Sequence, residues 1–456
     1  MGRFQSLKQR ILPPAPKPMD KGIHVQRSPL GAEERFRLHL RVEDNGEGIL
    51  VINASRVLHV NQTAAEYIKL LMEGKDVEAV VKEIRKRYRV SAKQAREDYQ
   101  GLRDTIDVLT KRDDICPISY LNVERIEPFD TPISAPYRMD LALTYRCDNE
   151  CSHCYVGRPR DMAELDTAQW RGVTDRLWDI GIPHVCFTGG EATLRDDLTT
   201  LIAHAQEVGI VTGLLTNGRR LSERSYLDEL VDSGLDHVQI TLESHDEGIH
   251  NQIVGAPAWR ETVQGIKNAL TADLYTITNT TLGSLNAPRI EETVGFLSDL
   301  GVNTFACNGL IYSGKAPESG IGIPEEELEG ILVRISDAAN RYGMRLIWYT
   351  PTRYHVCDPL QLELGVKRCT AAKYNMCIEP NGDVIPCQSY YSALGNILEN
   401  EWSEIWNHPT AKALRDRDWV SDACRSCPNF VLCGGGCPLY SENQNVLCVE
   451  SKSTAV

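Results

Sequence analysis

The sequence predicts an α/β protein whose centre is a partial (β/α)6 barrel, preceded by a winged-helix-like module and followed by a loop-rich, cysteine-dense region. Three observations predict it. From residue 137 onward, six strand-like runs alternate with amphipathic helical stretches. Between residues 34 and 111, two or three short strands give way to three helical patterns. After Lys367, cysteines recur at short intervals. On this reading the chain divides into an extended arm (1–33), the module (34–111), a linker (112–136), the barrel (137–352) and the cysteine region (353–456).

The N-terminal elements come first. Residues 11–18 are proline-rich and read as an extended segment. Strands are expected at 35–43, 49–53 and 57–60, with Asn45-Gly46 as a turn. Helices follow at 64–72, stopped by Gly74, and at 77–88; Ser91 and Gln94 form a capping-box signature for a third helix reaching about residue 109.

Barrel strands are expected at 139–144, 184–188, 211–216, 237–242, 275–282 and 304–311, each followed by a helical stretch. Parallel strands need crossover connections, which are nearly always right-handed, and sites in such folds lie at the carboxyl ends of the strands. The first strand leads into Cys147, Cys151 and Cys154, and the second ends at Gly189-Gly190-Glu191. Three close thiolates with no obvious fourth point to an iron–sulfur cubane with one iron open to a ligand. A zinc site or three unrelated core cysteines are the bland alternatives, and neither accounts for the Gly-Gly-Glu.

Composition narrows the function classes. The 456 residues, 42% hydrophobic and 25% charged, are those of an ordinary globular chain. A net charge of −14 argues against a nucleic-acid partner, and the short basic run at 82–87 reads as a solvated helix face. With neither a secretory h-region nor an apolar run of about 20 residues, no membrane partner is expected and the location reads as cytoplasmic. There, 15 cysteines read as metal ligands, not as a disulfide framework.

The cysteine triplet and the Gly-Gly-Glu together resemble the radical S-adenosylmethionine (SAM) superfamily. The resemblance implies a TIM-like partial barrel in which SAM binds the open iron. It implies that Gly189 and Gly190 let backbone approach the ligand, that the Glu191 region meets the SAM ammonium, and that His153 takes the place of an aromatic ring near the adenine. It makes Gln239, Thr241, Glu243 and Ser244, at the end of the fourth strand, candidates to hold the ribose and carboxylate, with Asn279 on the fifth. Ordinary strand termini facing solvent are the alternative for the four at the end of the fourth strand.

The C-terminal spacing, Cys369, Gly382, Cys387, then Cys424-x2-Cys427-x5-Cys433-x3-Cys437 and finally Cys448, is similar to the SPASM domain, which holds two auxiliary [4Fe–4S] clusters. The resemblance implies that Cys424, Cys427, Cys433 and Cys448 hold the second cluster, while Cys437 joins Cys369 and Cys387 at the first. Cys377 is a natural fourth ligand there. A zinc tetrathiolate site is the alternative for 424–437. Gly434–Gly436 between two ligands would aim amides at sulfur. Cys116, Cys186, Cys307 and Cys357 fall outside every motif and read as buried structural thiols.

The module at 34–111 is similar in pattern to the peptide-recognition element of enzymes that modify ribosomally made peptides, which bind a leader as an added strand. A DNA-binding winged helix is the alternative. Together the resemblances imply a radical SAM peptide maturase with three [4Fe–4S] clusters and SAM, a precursor peptide with a leader as partner, and an electron donor such as flavodoxin or ferredoxin. Its product would be a thioether or carbon–carbon crosslink or another oxidative modification. The rivals are a maturase of a folded protein or an enzyme of small molecules, and, from another class, a multi-cluster electron-transfer or peptide-binding scaffold. No side chain is singled out as catalytic.

Overall fold

Strand pairing divides the chain into two units, seen in a computed structural model that describes residues 17–28, 36–53, 56–111 and 133–440. In the first unit, β1 (Gly22–Arg27), β2 (Arg37–Val42), β3 (Gly48–Ile52) and β4 (Arg56–Val60) form an antiparallel sheet in chain order. β2, β3 and β4 match the expected strands. β1 lies in the segment read as an extended arm, and it pairs with β2 from Gly22↔Val42 to Arg27↔Arg37. Its six residues alternate too weakly to announce a strand; main-chain pairing with β2 makes it one. The consequence is that β2 is not an edge, and β4 is the sheet edge within the predicted strand region.

Helices α1 (Gln62–Met72), α2 (Val77–Arg87) and α3 (Ala92–Lys111) follow. Asn61 and Asp76 cap the first two by accepting from the amides of Ala64 and Ala79 at 2.9 and 2.8 Å. Ser91 accepts from Gln94 N at 3.1 Å, but the Gln94 side chain turns forward to Asp98 at 2.8 Å, so it is one turn further along the helix that claims it. Leu40, Leu50 and Ile52 of the sheet close over Ala65, Ile68 and Leu109.

The second unit is built on one large sheet. β5 (Arg138–Thr144), β6 (His184–Gly189), β7 (Val211–Thr216), β8 (His237–Thr241), β9 (Tyr275–Thr281) and β10 (Thr304–Asn308) run parallel and adjacent in chain order. The crossovers carry α4 (Thr167–Ile180), α5 (Leu198–Val208), α6 (Arg224–Asp232), the pair α7 (Glu247–Val254) and α8 (Trp259–Leu270), and α9 (Ile290–Asp299). After α10 (Glu325–Arg341), β11 (Arg345–Trp348) adds in parallel beside β10. On the far side β12 (Asn375–Ile378) adds in parallel to β5, and β13 (Asp383–Ile385) and β14 (Gly395–Asn396) extend that edge antiparallel. The six expected strands thus sit inside a sheet of ten.

Alternation along β5 separates two environments. Met139, Leu141 and Leu143 enter the helix-facing core with Val185 and Phe187, whereas Asp140, Ala142 and Thr144 take the opposite face. That second face is the inner wall of the partial barrel. The C-terminal region is loop-rich and, among the described residues, includes the short helices α11 (Trp402–Trp406), α12 (Pro409–Asp416), α13 (Asp422–Arg425) and α14 (Phe430–Cys433). Among the described residues no helix is long and apolar enough to cross a membrane.

Candidate active site

The cysteine triplet lies on the loop that leaves the carboxyl end of β5, and this loop is lashed down along its length. Arg160 donates to the carbonyls of Cys147 and Asn149, both at 2.7 Å, and Arg219 donates to Asp148 O at 2.6 Å. The amides of Glu150 and Ser152 donate to the carbonyls of Val254 and Ile253 at 2.9 Å each, and Lys315 N donates to Cys154 O at 2.9 Å. Six backbone carbonyls and amides, held by Arg160, Arg219, α7 and Lys315, leave the thiols in a fixed array.

Burial pushes the Cys147 thiol up to about 12, against the Asn149 amide that donates to its sulfur at 3.5 Å. Burial also drives Cys151 well above the ordinary thiol range, with Glu243, Cys154 and Cys147 adding to the effect. The three sulfurs therefore feel one another. Such a nest gives up its protons to a cation, and three converging soft donors fit an iron–sulfur cluster with an open iron.

Gly189 and Gly190 press against the root of this loop. A Cβ on Gly189, where φ is +131°, would fall 2.0 Å from Thr144 O, and one on Gly190 would fall 2.4 Å from Arg146 O. The backbone that these glycines admit is that of the cysteine loop, with Gly190 N donating to Thr144 O at 2.7 Å and Glu191 N to Arg146 O at 2.9 Å.

Glu191, 1% exposed, accepts four hydrogen bonds: from Thr193 N at 3.1 Å, the hydroxyls of Thr193 and Thr216 at 2.8 Å each, and Asn217 N at 2.7 Å. Burial raises its pKa and these donors work against that rise. The carboxylate ties the end of β6 to the end of β7. Asn217 then reaches Asp148 of the cysteine loop at 2.6 Å, so the Gly-Gly-Glu positions the thiols from below.

The other expected residues gather at neighbouring strand ends. His153 Nε2 faces Glu243 Oε1 at 3.0 Å, and Glu243 Oε2 accepts from Thr281 N at 2.8 Å. Burial opposes charge on His153, but the Glu243 carboxylate overrides it and holds the imidazole pKa above its usual value. Ser244 is buried, with its hydroxyl accepting from Asp246 N at 3.1 Å. Gln239 and Thr241 are half-buried on β8. On β9, Asn279 donates to Asn308 at 2.9 Å, yet its Oδ1 is buried without a partner among the described residues, as is Nδ1 of His153. Two such buried atoms, one on the cysteine loop and one on β9, are polar groups available to a bound molecule.

In the C-terminal region, Cys369, Cys387 and Cys437 influence one another: Cys387 is pushed up to about 12 by burial and by Cys369, and Cys437 is raised by burial, Cys369 and Cys387. Cys377 sits on β12 in register with Asp140, fully buried beside Ala142, Tyr145 and Ile385, and Cys387 is the cluster-type cysteine whose charge reaches it. Cys424, Cys427 and Cys433 lie around the short helices α13 and α14, and Cys427 adds to the burial-raised pKa of Cys433. Amides of Gly435 and Gly436 donate toward the Cys433 sulfur, as does Tyr354 N at 3.5 Å. Cys448 and Cys116 lie outside the described residues.

Three family models match the chain. They are the radical SAM superfamily over residues 141–297, the SPASM iron–sulfur cluster-binding domain over 369–428, and coenzyme PQQ synthesis protein D (PqqD) over 47–106. The chain carries radical SAM, SPASM and PqqD domains. A PqqA peptide cyclase from Bradyrhizobium diazoefficiens is 29% identical over 316 residues, covering 66% of this chain and 81% of that one. Another from Streptomyces rochei is 28% identical, covering 68% and 86%. Among solved structures, Streptococcus suis SuiB bound to the precursor peptide SuiA has a TM-score of 0.63 at 17% identity over 88% of this chain and 94% of that chain. That likeness shows the shared fold. The structure of anSMEcpe with bound AdoMet has a TM-score of 0.55 at 16% identity, over 69% and 93%.

Several residues of the radical SAM and SPASM domains had no signal in the sequence. Arg160 and Arg219 stabilise the cysteine loop without belonging to any motif. Arg158 pairs with the fully buried Glu379 at 2.8 Å, and Tyr145 donates to the same carboxylate at 3.0 Å. The Tyr155 hydroxyl donates to Gln388 at 3.1 Å, linking the neighbour of Cys154 to the neighbour of Cys387. Partners more than 200 residues apart leave no periodicity to read.

Proposed function

We propose that this chain is a radical SAM maturase that modifies a ribosomally made precursor peptide, forming a thioether or carbon–carbon crosslink. The observation that carries this reading is the juxtaposition of two thiol nests, Cys147/Cys151/Cys154 and Cys369/Cys387/Cys437, bridged by the Tyr155–Gln388 hydrogen bond. When bound, a cluster at the first nest supplies reductive cleavage of SAM to methionine and a 5′-deoxyadenosyl radical. The chain's own residues hold the array still, and the polar strand ends on β8 and β9, Gln239, Thr241, Glu243, Ser244 and Asn279, bind and orient SAM. His153 contributes the wall beside it, kept in place by Glu243.

Cys377 completes the first auxiliary site in this reading, and Cys424, Cys427, Cys433 and Cys448 hold the second, giving three clusters and about twelve irons. Clusters at the auxiliary sites would take up the electron left when the substrate radical loses a proton as the crosslink forms, and a flavodoxin or ferredoxin of the cytoplasm would supply the electron for SAM cleavage. Cys427→Ala is expected to keep at least a third of SAM cleavage and to lose crosslinked product at least tenfold, as read by chromatography of deoxyadenosine and mass spectrometry of the peptide. Equal loss of both would remove the separate role for the auxiliary sites.

The PqqD domain recruits the leader along β4, which ends the strand order among the described residues. Pairing through main-chain hydrogen bonds is checked with leader peptides N-methylated at alternate residues, which lose donors in one of two registers. One of the two methylated sets should bind the intact enzyme at least tenfold more weakly by fluorescence anisotropy. Unchanged affinity for both sets would favour a small-molecule or folded-protein substrate.

A further inference from the structure

A second set of metal-type ligands lies at the other end of the barrel. His184 opens β6, Cys186 is two residues on and so on the same face, and His237 opens β8. Val185 and Phe187 of β6 enter the helix-facing core, which leaves His184 and Cys186 to the inner wall at the amino-terminal ends of the strands. The cysteine loop is at the carboxyl ends. These are different sites on one sheet.

Between β6 and β8 runs β7, and its Gly213 is in register with both Cys186 and His237. A Cβ on Gly213 would fall 2.2 Å from Cε1 and 2.4 Å from Nε2 of His237, and 2.8 Å from Sγ of Cys186. The imidazole of His237 therefore lies across a strand position that has no side chain, and only so can it reach β6. Its Nε2 is 2.8 Å from Nε2 of His184, which is 3.5 Å from Sγ of Cys186, and the three donor atoms all lie within 4.8 Å of one another.

Two imidazoles and a thiolate about 2.0–2.3 Å from a tetrahedral ion stand roughly 3.3–3.6 Å apart. The His–Cys edge already has that length. The His–His edge needs to open by about half an ångström, and the half-buried His237 has the freedom to give it. Asp140, in register with Cys186, is engaged with Arg138 at 3.0 Å and does not offer a fourth protein ligand.

We propose that His184, Cys186 and His237 form a mononuclear zinc-type site, separate from the cluster cysteines, whose fourth position is open to water or another small donor. A mixed imidazole and thiolate set suits zinc, and three protein ligands with one open position is the pattern of a reactive site, not a closed structural one. The site is independent of the maturase reading, since it uses none of the residues assigned there.

The test uses the anaerobically reconstituted holoenzyme, equilibrated with zinc sulfate, desalted and measured for zinc and iron together. Wild type should hold one more zinc than His237→Gln and Cys186→Ser, each retaining less than about a fifth of that zinc, with iron unchanged. Zinc-edge X-ray absorption of wild type should show two imidazole nitrogens and one sulfur. Equal zinc in all three proteins, no zinc in wild type, or an edge dominated by sulfur would overturn the proposal. Should Cys186→Ser lose iron as well, the His237→Gln comparison decides, because that ring stands at the half-buried rim.

Discussion

Protein in which Cys147, Cys151 and Cys154 are all replaced by alanine is expected to lose about four of roughly twelve irons and to release no 5′-deoxyadenosine from SAM under a strong reductant. The argument is one of ligand supply. The three thiols are the described cysteines on the β5 loop, Cys154 adds to the burial-raised pKa of both Cys147 and Cys151, and no other thiol is tied to that loop by a hydrogen bond in the described residues. The backbone around them is held by Arg160, Arg219 and the α7 carbonyls, so the loop itself should survive the substitution. Auxiliary iron should then remain near eight by the same count. Deoxyadenosine at more than a hundredth of the wild-type rate would show that SAM is cleaved elsewhere.

The second large effect is expected at Glu191. Alanine there strands the buried amides of Thr193 and Asn217 and frees two threonine hydroxyls, at a cost of about 1–3 kcal/mol for each unmet amide. Glutamine separates the contributions. Oε1 takes three of the donors and Oε2 only Asn217 N, so an amide oriented with its oxygen at the first position keeps three bonds and turns a donor toward the fourth. Glu191→Ala should therefore lower the thermal midpoint by several degrees more than Glu191→Gln, which keeps the Thr193 and Thr216 bonds, while both variants should cut SAM cleavage at least tenfold, because both lose the Asn217 tie to Asp148 of the cysteine loop. A midpoint within one degree of wild type for the alanine variant would mean that the network is not a structural tie.

Much of the fold was legible because its signals are local. β5, β6, β7 and β10 are largely buried on both faces and β8 alternates, and all are bounded by turn residues, so their apolar runs announce strands, and the helices between them carry apolar residues at helical spacing. β1, β11 and β12 were not legible. Four to six residues with little alternation have no pattern of their own, and what makes them strands is a neighbour offering a row of hydrogen bonds. Gln94 illustrates the same limit at the level of one side chain: the capping-box spacing was present, and Asp98 outcompeted it.

The cysteines were readable because thiolate chemistry depends on residue type and short spacing, both of which are written along the chain. Which groups hold those cysteines still is not. Glu191 binds four protein donors and Glu243 faces His153, since a carboxylate in a closed interior must find partners and only the three-dimensional arrangement says which are near. The convergence of His184, Cys186 and His237 is the plainest case. Nothing in the order His184-Val-Cys186 foretells His237, 51 residues beyond Cys186 in the sequence; the parallel register of β6, β7 and β8, and the missing side chain of Gly213 between them, bring the three together. Local composition thus carried element type and the cysteine motifs, which act over a few residues, while strand register decided proximity, which acts across the whole sheet.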